Sequence, residues 1–363
     1  MFKKLALAAV VALAAAKVDQ FAEGSPERES HKIYGHVSAA FTPVDKDGEL
    51  DFTNLEKMAA RLHEWGVPNV MVGGTTGESV SFSTEERIRV IEAWAKVVDK
   101  YDLNLYVHVG MNSVQEAKKL AATSAKLGAK GIFAMPPEYF RPGTPDQLVD
   151  AMAVVASGAP DLPFWYYHFP VMTNVNIDMF AFVQAADKSG KIPNLMGVKY
   201  TDEHLMQFNE IGGFKNKKYN MMIGRDEILT AALAGGVADA DVGSTVNFIS
   251  YNVEVRPLFN SLDRADILKA EALQRKTVDV INTWSSICPG YNTQKSIMKM
   301  TGIDFGPLRA PQENMPHDME MQLGTALAKI GVNITDEWII KEEPKVEHLE
   351  FEEVSENAEQ FLV

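Results

Sequence analysis

Short apolar runs alternate with amphipathic stretches along most of the chain. From about Ile33 the pattern opens with Gly35-His-Val-Ser-Ala-Ala-Phe-Thr-Pro43, a first strand. Leu55, Met58, Leu62 and Trp65 then recur at helical spacing and stop at Gly66, so one helix face is apolar and its end carries a residue suited to left-handed backbone. Asn69-Val-Met-Val-Gly-Gly74 is a second strand, and a polar loop leads to Ser83 and Glu86, a capping-box pair that opens a helix with Ile88, Ile91, Trp94 and Val98 on one face. Leu103 to Gly110 is a third strand, followed by a second predicted box, Ser113 with Glu116. Gly131-Ile-Phe-Ala-Met135 is a fourth, and Thr144-Pro-Asp-Gln147 starts its helix with proline at the first helical position. Strand five is Pro163-Phe-Trp-Tyr-Tyr-His-Phe-Pro170, six is Leu195-Met-Gly-Val-Lys-Tyr200, seven is Tyr219 to Gly224, and eight is Ala240 to Ser244.

This alternation predicts an α/β protein built as a (β/α)8 barrel, the TIM-barrel architecture, with its core at residues 33–330. Strand runs apolar on both faces suit a parallel sheet closed on itself and covered by helices. A doubly wound open sheet is the competing arrangement, but no Gly-x-Gly-x-x-Gly turn follows the first strand. From about Asn247 to Ile330 the pattern is helical only, with Leu258, Leu262, Ile267, Leu273, Val278, Ile281 and Trp284 as apolar stripes, which predicts C-terminal helices packed on the barrel's side.

In such a barrel the chemistry sits where the strands end. Strand six ends on Lys199, a lone cation after an apolar run, with Thr201 and Asp202 as helix N-cap candidates and Leu205, Phe208 and Ile211 as the helix face. A bare sheet-end lysine commonly pairs with a surface carboxylate, so the neighbouring strand ends decide the reading. Strand two supplies Gly73-Gly-Thr-Thr-Gly-Glu78, whose backbone N–H groups and two hydroxyls suit a carboxylate. Strand five supplies Tyr166 and Tyr167, of which alternation lets only one face the interior. Strand seven ends in Gly224-Arg-Asp-Glu227 and strand eight in Gly243-Ser-Thr245, two acids and a hydroxyl that suit a polyhydroxylated ligand or, equally, helix N-terminal acids. His108 and His168 lack metal-ligand spacing and read as core or supporting residues.

For Lys199 to act as a nucleophile its pKa must fall from near 10.4 to about 7, which costs roughly 4.6 kcal/mol of desolvation. A buried strand end can supply that. The neutral amine could then form a Schiff base with a ketone, a carbon–carbon bond mechanism needing no metal and no organic cofactor.

Composition narrows the picture further. The net charge of −14 comes without clustered Lys and Arg, which argues against a nucleic-acid partner. Asp336 to Val363 hold ten acids and two lysines, net −8, leaving −6 of the −14 on everything before them, so residues 331–363 read as an acidic tail. Cys288 is the only cysteine and rules out internal disulfides and Cys-rich metal sites. Residues 1–32 read as a signal-like segment and linker: Lys3 and Lys4, the apolar run Leu5 to Ala16, and a small-residue cleavage candidate at Ala14-Ala-Ala16. The run is too short to span a membrane, so the expectation is secretory entry or export with no membrane anchor in the mature form, and a cytoplasmic protein if the segment is only an extension.

Gly74-Thr-Thr-Gly-Glu78, Tyr167-His-Phe-Pro170, Gly197-Val-Lys199, Gly224-Arg-Asp-Glu227 and Gly243-Ser-Thr245 together resemble the N-acetylneuraminate lyase and dihydrodipicolinate synthase superfamily over residues 33–310. Pro163 to Pro170, Gln294-Lys-Ser-Ile-Met298 and Gly306-Pro307 are most similar to its eukaryotic-type N-acetylneuraminate lyases. The resemblance implies an aldolase cleaving sialic acid to N-acetylmannosamine and pyruvate, with Lys199 as Schiff-base lysine and Tyr167 as proton shuttle. It implies that Thr75 and Thr76 hold the substrate carboxylate, with Thr76 also in the tyrosine's relay. Thr201 and Gly224 would lie along the substrate, and Asp226, Glu227 and Ser244 would bind its glycerol-like end. Tyr139 would reach a neighbouring subunit's site in a homotetramer. Met172 stands where the synthase branch has an arginine, while Met71 and Asn174 depart from bacterial lyases at the sugar end. Within the same chemistry the competing readings are another pyruvate-dependent 2-keto-acid aldolase or a dihydrodipicolinate synthase-like enzyme; outside it, a catalytically silent barrel that binds sialic acid.

Overall fold

Eight parallel strands close into a barrel in strict chain order in the computed structural model, which describes residues 20–288 and 290–340. They are β1 (Gly35–Ala39), β2 (Asn69–Val72), β3 (Asn104–His108), β4 (Gly131–Ala134), β5 (Phe164–His168), β6 (Leu195–Tyr200), β7 (Asn220–Ile223) and β8 (Ala238–Gly243), with β8 pairing back to β1. A short α1 (Pro26–Ser30) precedes the barrel. The covering helices are α2 (Leu55–Glu64), α3 (Thr84–Val98), α4 (Val114–Lys126), α5 (Pro145–Ala156), α6 (Pro170–Thr173), α7 (Met179–Ser189), α8 (Leu205–Gly213), α9 (Leu229–Ala234) and α10 (Tyr251–Asn260). Three more follow: α11 (Arg264–Ile287), α12 (Tyr291–Met300) and α13 (His317–Lys329). The (β/α)8 barrel with C-terminal helices expected from the alternation is the fold.

Local signals act largely as read. Ser83 and Glu86 form a reciprocal capping box, and Thr144 caps α5 with Pro145 in its first turn. Three expectations need correction. Ser113 caps α4, but the Glu116 carboxylate turns to Lys119 at 2.5 Å and the box stays half made. Thr201 and Asp202 do not cap α8, which starts later at Leu205; Thr201 is drawn into the barrel mouth instead. Leu262 belongs to no apolar stripe: it lies in the turn between α10 and α11 with φ +59° and is exposed.

The core has two layers. Between strands and helices lie residues such as Val70, Trp94, Ile132, Tyr166 and Phe182, while Val37, Met71, Tyr106, Phe133, Trp165, Met196 and Met222 fill the barrel itself. Trp165 stacks on Phe133 at 5.1 Å and donates its indole N–H to Asn220 at 3.0 Å. Gly131 makes room, because a Cβ there would stand 2.5 Å from the Trp165 ring. Burial of each such large side chain is worth about 1.5–3 kcal/mol, so the interior is a packed floor beneath the strand ends.

That packed body extends beyond residues 33–330 at both ends. Arg28 of α1 is buried and donates to Leu195 O at 2.8 Å and Phe21 O at 3.0 Å, while Phe21 packs against the interior layer. Val332, Ile334 and Trp338 are likewise buried against the main core. The run Leu5 to Ala16 and the tail from residue 341 lie outside the described residues.

Candidate active site

Lys199 owes its place to an irregularity in β6. Phe164 pairs with Leu195 and Trp165 with Gly197, so Met196 is an extra residue in the register. Met196 and Lys199 therefore both face inward although three positions separate them, which plain alternation forbids. Gly197 permits this, since a Cβ there would stand 1.8 Å from Asn220 O. On β5 the alternation is regular: Tyr166 packs outward on Phe182 and Tyr167 faces the barrel mouth.

The Lys199 amine lies 3.8 Å from the centre of the Tyr167 ring, at the floor of a cavity of about 250 Å³. Burial drives its pKa down to about 7, with Asp226 acting weakly in the opposite direction. The amine is therefore close to half neutral at pH 7. Burial pushes the Tyr167 phenol up to about 12, against the pull of Thr75, Thr201 and Arg225. Its hydroxyl lies 3.2 Å from Thr75 Oγ1, and its ring is stacked by Phe169 and met edge-on by His108.

His108 is fully buried and held neutral, its pKa lowered to about 3 by burial and by Arg87. Its Nδ1–H donates to Gly73 O at 2.7 Å and its Nε2 accepts from Met135 N at 3.1 Å, so it supports the strand-two loop and the Tyr167 ring together. Gly73 has φ +67°, which starts that loop in left-handed backbone. Thr75 and Thr76 both face the cavity, and the hydroxyl within bonding distance of the phenol is that of Thr75.

At the ends of β7 and β8, Gly224 lets the backbone approach: a Cβ there would stand 2.0 Å from Thr201 Oγ1 and 3.3 Å from Lys199 Cε. Asp226 is buried, and one carboxylate oxygen accepts from Ser244 N at 3.1 Å and Thr245 N at 2.9 Å. Burial, with Glu227 nearby, raises its pKa to about 6. Asp226 thus fixes the β8 end as well as lining the cavity. Glu227 is half exposed and pairs with Arg225 at 3.3 Å.

One cavity therefore gathers Lys199, Tyr167, Thr75, Thr76, Thr201, Gly224, Asp226, Glu227 and Ser244. Tyr139 is not among its lining residues; it stands on the surface edge-on to Phe140. Sequence reasoning missed Phe169, Arg225 and the wall of Ile281, Trp284, Gly290 and Gln294 as cavity residues. Arg225 was visible between Gly224 and Asp226, whereas Ile281 and Trp284 carried only the signature of helix packing.

The match to known proteins follows the same residues. The model of the dihydrodipicolinate synthetase family covers residues 32–330. The chain belongs to that family. Among curated members it is 35% identical to the N-acetylneuraminate lyase of Pongo abelii and 34% to that of Homo sapiens, each over 284 residues, 77% of this chain and 87% of the relative. Among solved structures, Proteus mirabilis N-acetylneuraminate lyase superposes with a TM-score of 0.77 at 30% identity, covering 83% of this chain and all of that one. The sialic acid aldolase of Aliivibrio salmonicida gives 0.76 at 28%, covering 83% of this chain and 98% of that one. In this member of the dihydrodipicolinate synthetase family the cavity beside Lys199 is thus the candidate active site.

Proposed function

We propose that the protein is a class I aldolase that cleaves N-acetylneuraminate to N-acetylmannosamine and pyruvate. The observation that carries the reading is a buried Lys199 amine held near half neutrality beside the Tyr167 phenol, in a chain related to enzymes named for that reaction. The neutral amine attacks the C2 ketone of the open-chain sugar acid, and loss of water gives the protonated Schiff base. Thr75 and Thr76 hold the C1 carboxylate. The C4 hydroxyl gives up its proton through Tyr167, whose phenol meets the Thr75 hydroxyl at 3.2 Å, so Thr75 takes the place in the proton relay that the resemblance gave to Thr76. The C3–C4 electron pair moves into the imine as an enamine, and the aldehyde product leaves. Protonation of the enamine at C3 and hydrolysis release pyruvate and restore Lys199.

The far end of the substrate is a neutral polyol, a fit for Asp226, Glu227 and Ser244 as hydroxyl partners. Met172, half exposed after β5, offers no charge for a second carboxylate, which supports the sugar substrate over a dicarboxylic one. A homotetramer is part of the proposal, with the exposed Tyr139 and Phe140 at the contact between copies. So is export, which rests on the Lys3 to Ala16 pattern and is tested by mapping the mature N-terminus. Incubation with millimolar N-acetylneuraminate and a coupled pyruvate assay tests the reaction: pyruvate release with equimolar N-acetylmannosamine is expected, and none at any pH from 6 to 9 would overturn it.

A further inference from the structure

Lys295 is a buried cation for which the chemistry at Lys199 has no use. It lies on α12 and is 3% exposed. Its ammonium donates to Glu78 Oε1 at 3.0 Å, Thr42 O at 3.0 Å and Pro307 O at 2.8 Å, which uses all three of its donors. The other Glu78 oxygen accepts from Arg309 N at 3.0 Å. The C-terminal segment thus grips both oxygens of one buried carboxylate.

Glu78 is the last residue of the loop that carries Thr75 and Thr76, and it sits at φ +53°, left-handed backbone that a long side chain rarely adopts. Such a conformation persists only where its surroundings over-determine it. Two ties come from the loop and its neighbour: Glu78 N donates to Thr75 O at 2.9 Å, and the Thr42 hydroxyl donates to Gly77 O at 2.6 Å. Ser81 N also donates to Glu78 O at 2.8 Å, and the ties on the Glu78 side chain are the two from Lys295 and Arg309. At the other side of the turn the Thr75 hydroxyl reaches Tyr167.

We propose that Lys295 is a positioning residue for the substrate carboxylate: by pinning Glu78 it holds the Gly73–Glu78 turn in the conformation that presents the Thr75 and Thr76 hydroxyls to the cavity. The C-terminal helices then complete the active site from outside it. This rests on Thr75 and Thr76 as the carboxylate site of the proposed aldolase.

The test compares wild type, Lys295→Met and the double variant Lys295→Met/Glu78→Gln. Three quantities are measured: KM and kcat with N-acetylneuraminate, the pyruvate concentration that gives half-maximal borohydride trapping at Lys199, and the melting temperature. In Lys295→Met, KM and the half-trapping concentration should rise by about tenfold to a hundredfold, the scale expected for a misplaced binding group, with a smaller change in kcat. The double variant leaves no unpaired buried charge, so its melting temperature should recover while the raised KM remains. Recovery of KM together with stability would make Lys295 a purely structural residue and overturn the proposal, as would an unchanged KM in either folded variant. If Lys295→Met does not fold, the double variant carries the comparison. Wild type that traps no pyruvate would refute the aldolase reading, whereas wild type that traps beside unaffected variants refutes the positioning role alone.

Discussion

Replacing Lys199 by Met should stabilise the protein while abolishing its chemistry, and the gain should depend on pH in a way fixed by burial. The folded amine has its pKa lowered from 10.5 to about 7, so the unfolded chain binds the proton more tightly. Between those two values the unfolded state carries more protons, and stability rises with pH. The penalty is therefore fully present below pH 7 and is lost as pH climbs to 10.5. Its full size is about 5 kcal/mol at about 1.4 kcal/mol per pKa unit, falling to about 2 kcal/mol at pH 9. Met has nearly the shape of Lys without the ammonium, so Lys199→Met removes the penalty with little change in packing. For a chain of this length, with an unfolding entropy of about 0.7 kcal/mol per kelvin, the variant should melt about 7 °C higher at pH 6.5 and about 3 °C higher at pH 9. Calorimetry of both proteins across pH 6–10 checks this. A difference that does not shrink as pH rises, or a variant less stable than wild type at pH 6.5, would refute a neutralised buried amine.

Two further outcomes follow from the same cavity. Tyr167→Phe removes the phenol 3.2 Å from Thr75 but keeps the ring beside Lys199, so turnover should fall by about 10²–10⁴-fold while pyruvate is still trapped; a variant of normal turnover would remove Tyr167 from proton transfer. Gly224→Ala places a methyl 2.0 Å from Thr201 Oγ1, so kcat/KM should fall at least tenfold with a modest loss of melting temperature, and steady-state kinetics showing no loss would mean that Thr201 and the β7 end move apart freely.

The barrel was legible because its signal is repeated: eight apolar runs, each followed by a 3.6-residue periodicity and often by a cap such as Ser83 or Thr144, leave little freedom for another fold. The strand-end chemistry was legible for a similar reason, since topology alone sends Lys199, Tyr167 and the Gly73–Glu78 turn to one mouth. What stayed hidden depends on register and long-range contact. The extra residue at Met196 that turns Lys199 inward leaves no mark in the alternation, because Met suits either face. Arg28 lies in a polar stretch, and only the folded barrel supplies the carbonyls of Leu195 and Phe21 that bury it. Ile281 and Trp284 wall the cavity from a helix whose pattern predicts packing alone, and the tie from Lys295 to Glu78 spans 217 positions.

The central claim is that Lys199 is the nucleophile that forms a Schiff base with a 2-keto acid. Borohydride reduction in the presence of pyruvate, followed by peptide mass analysis, tests it most directly. The account predicts a single reduced pyruvate adduct on Lys199, with a trapping rate at limiting pyruvate that rises with an apparent pKa near 7 in step with the neutral amine. An adduct confined to surface lysines, or none with the protein folded, would contradict it.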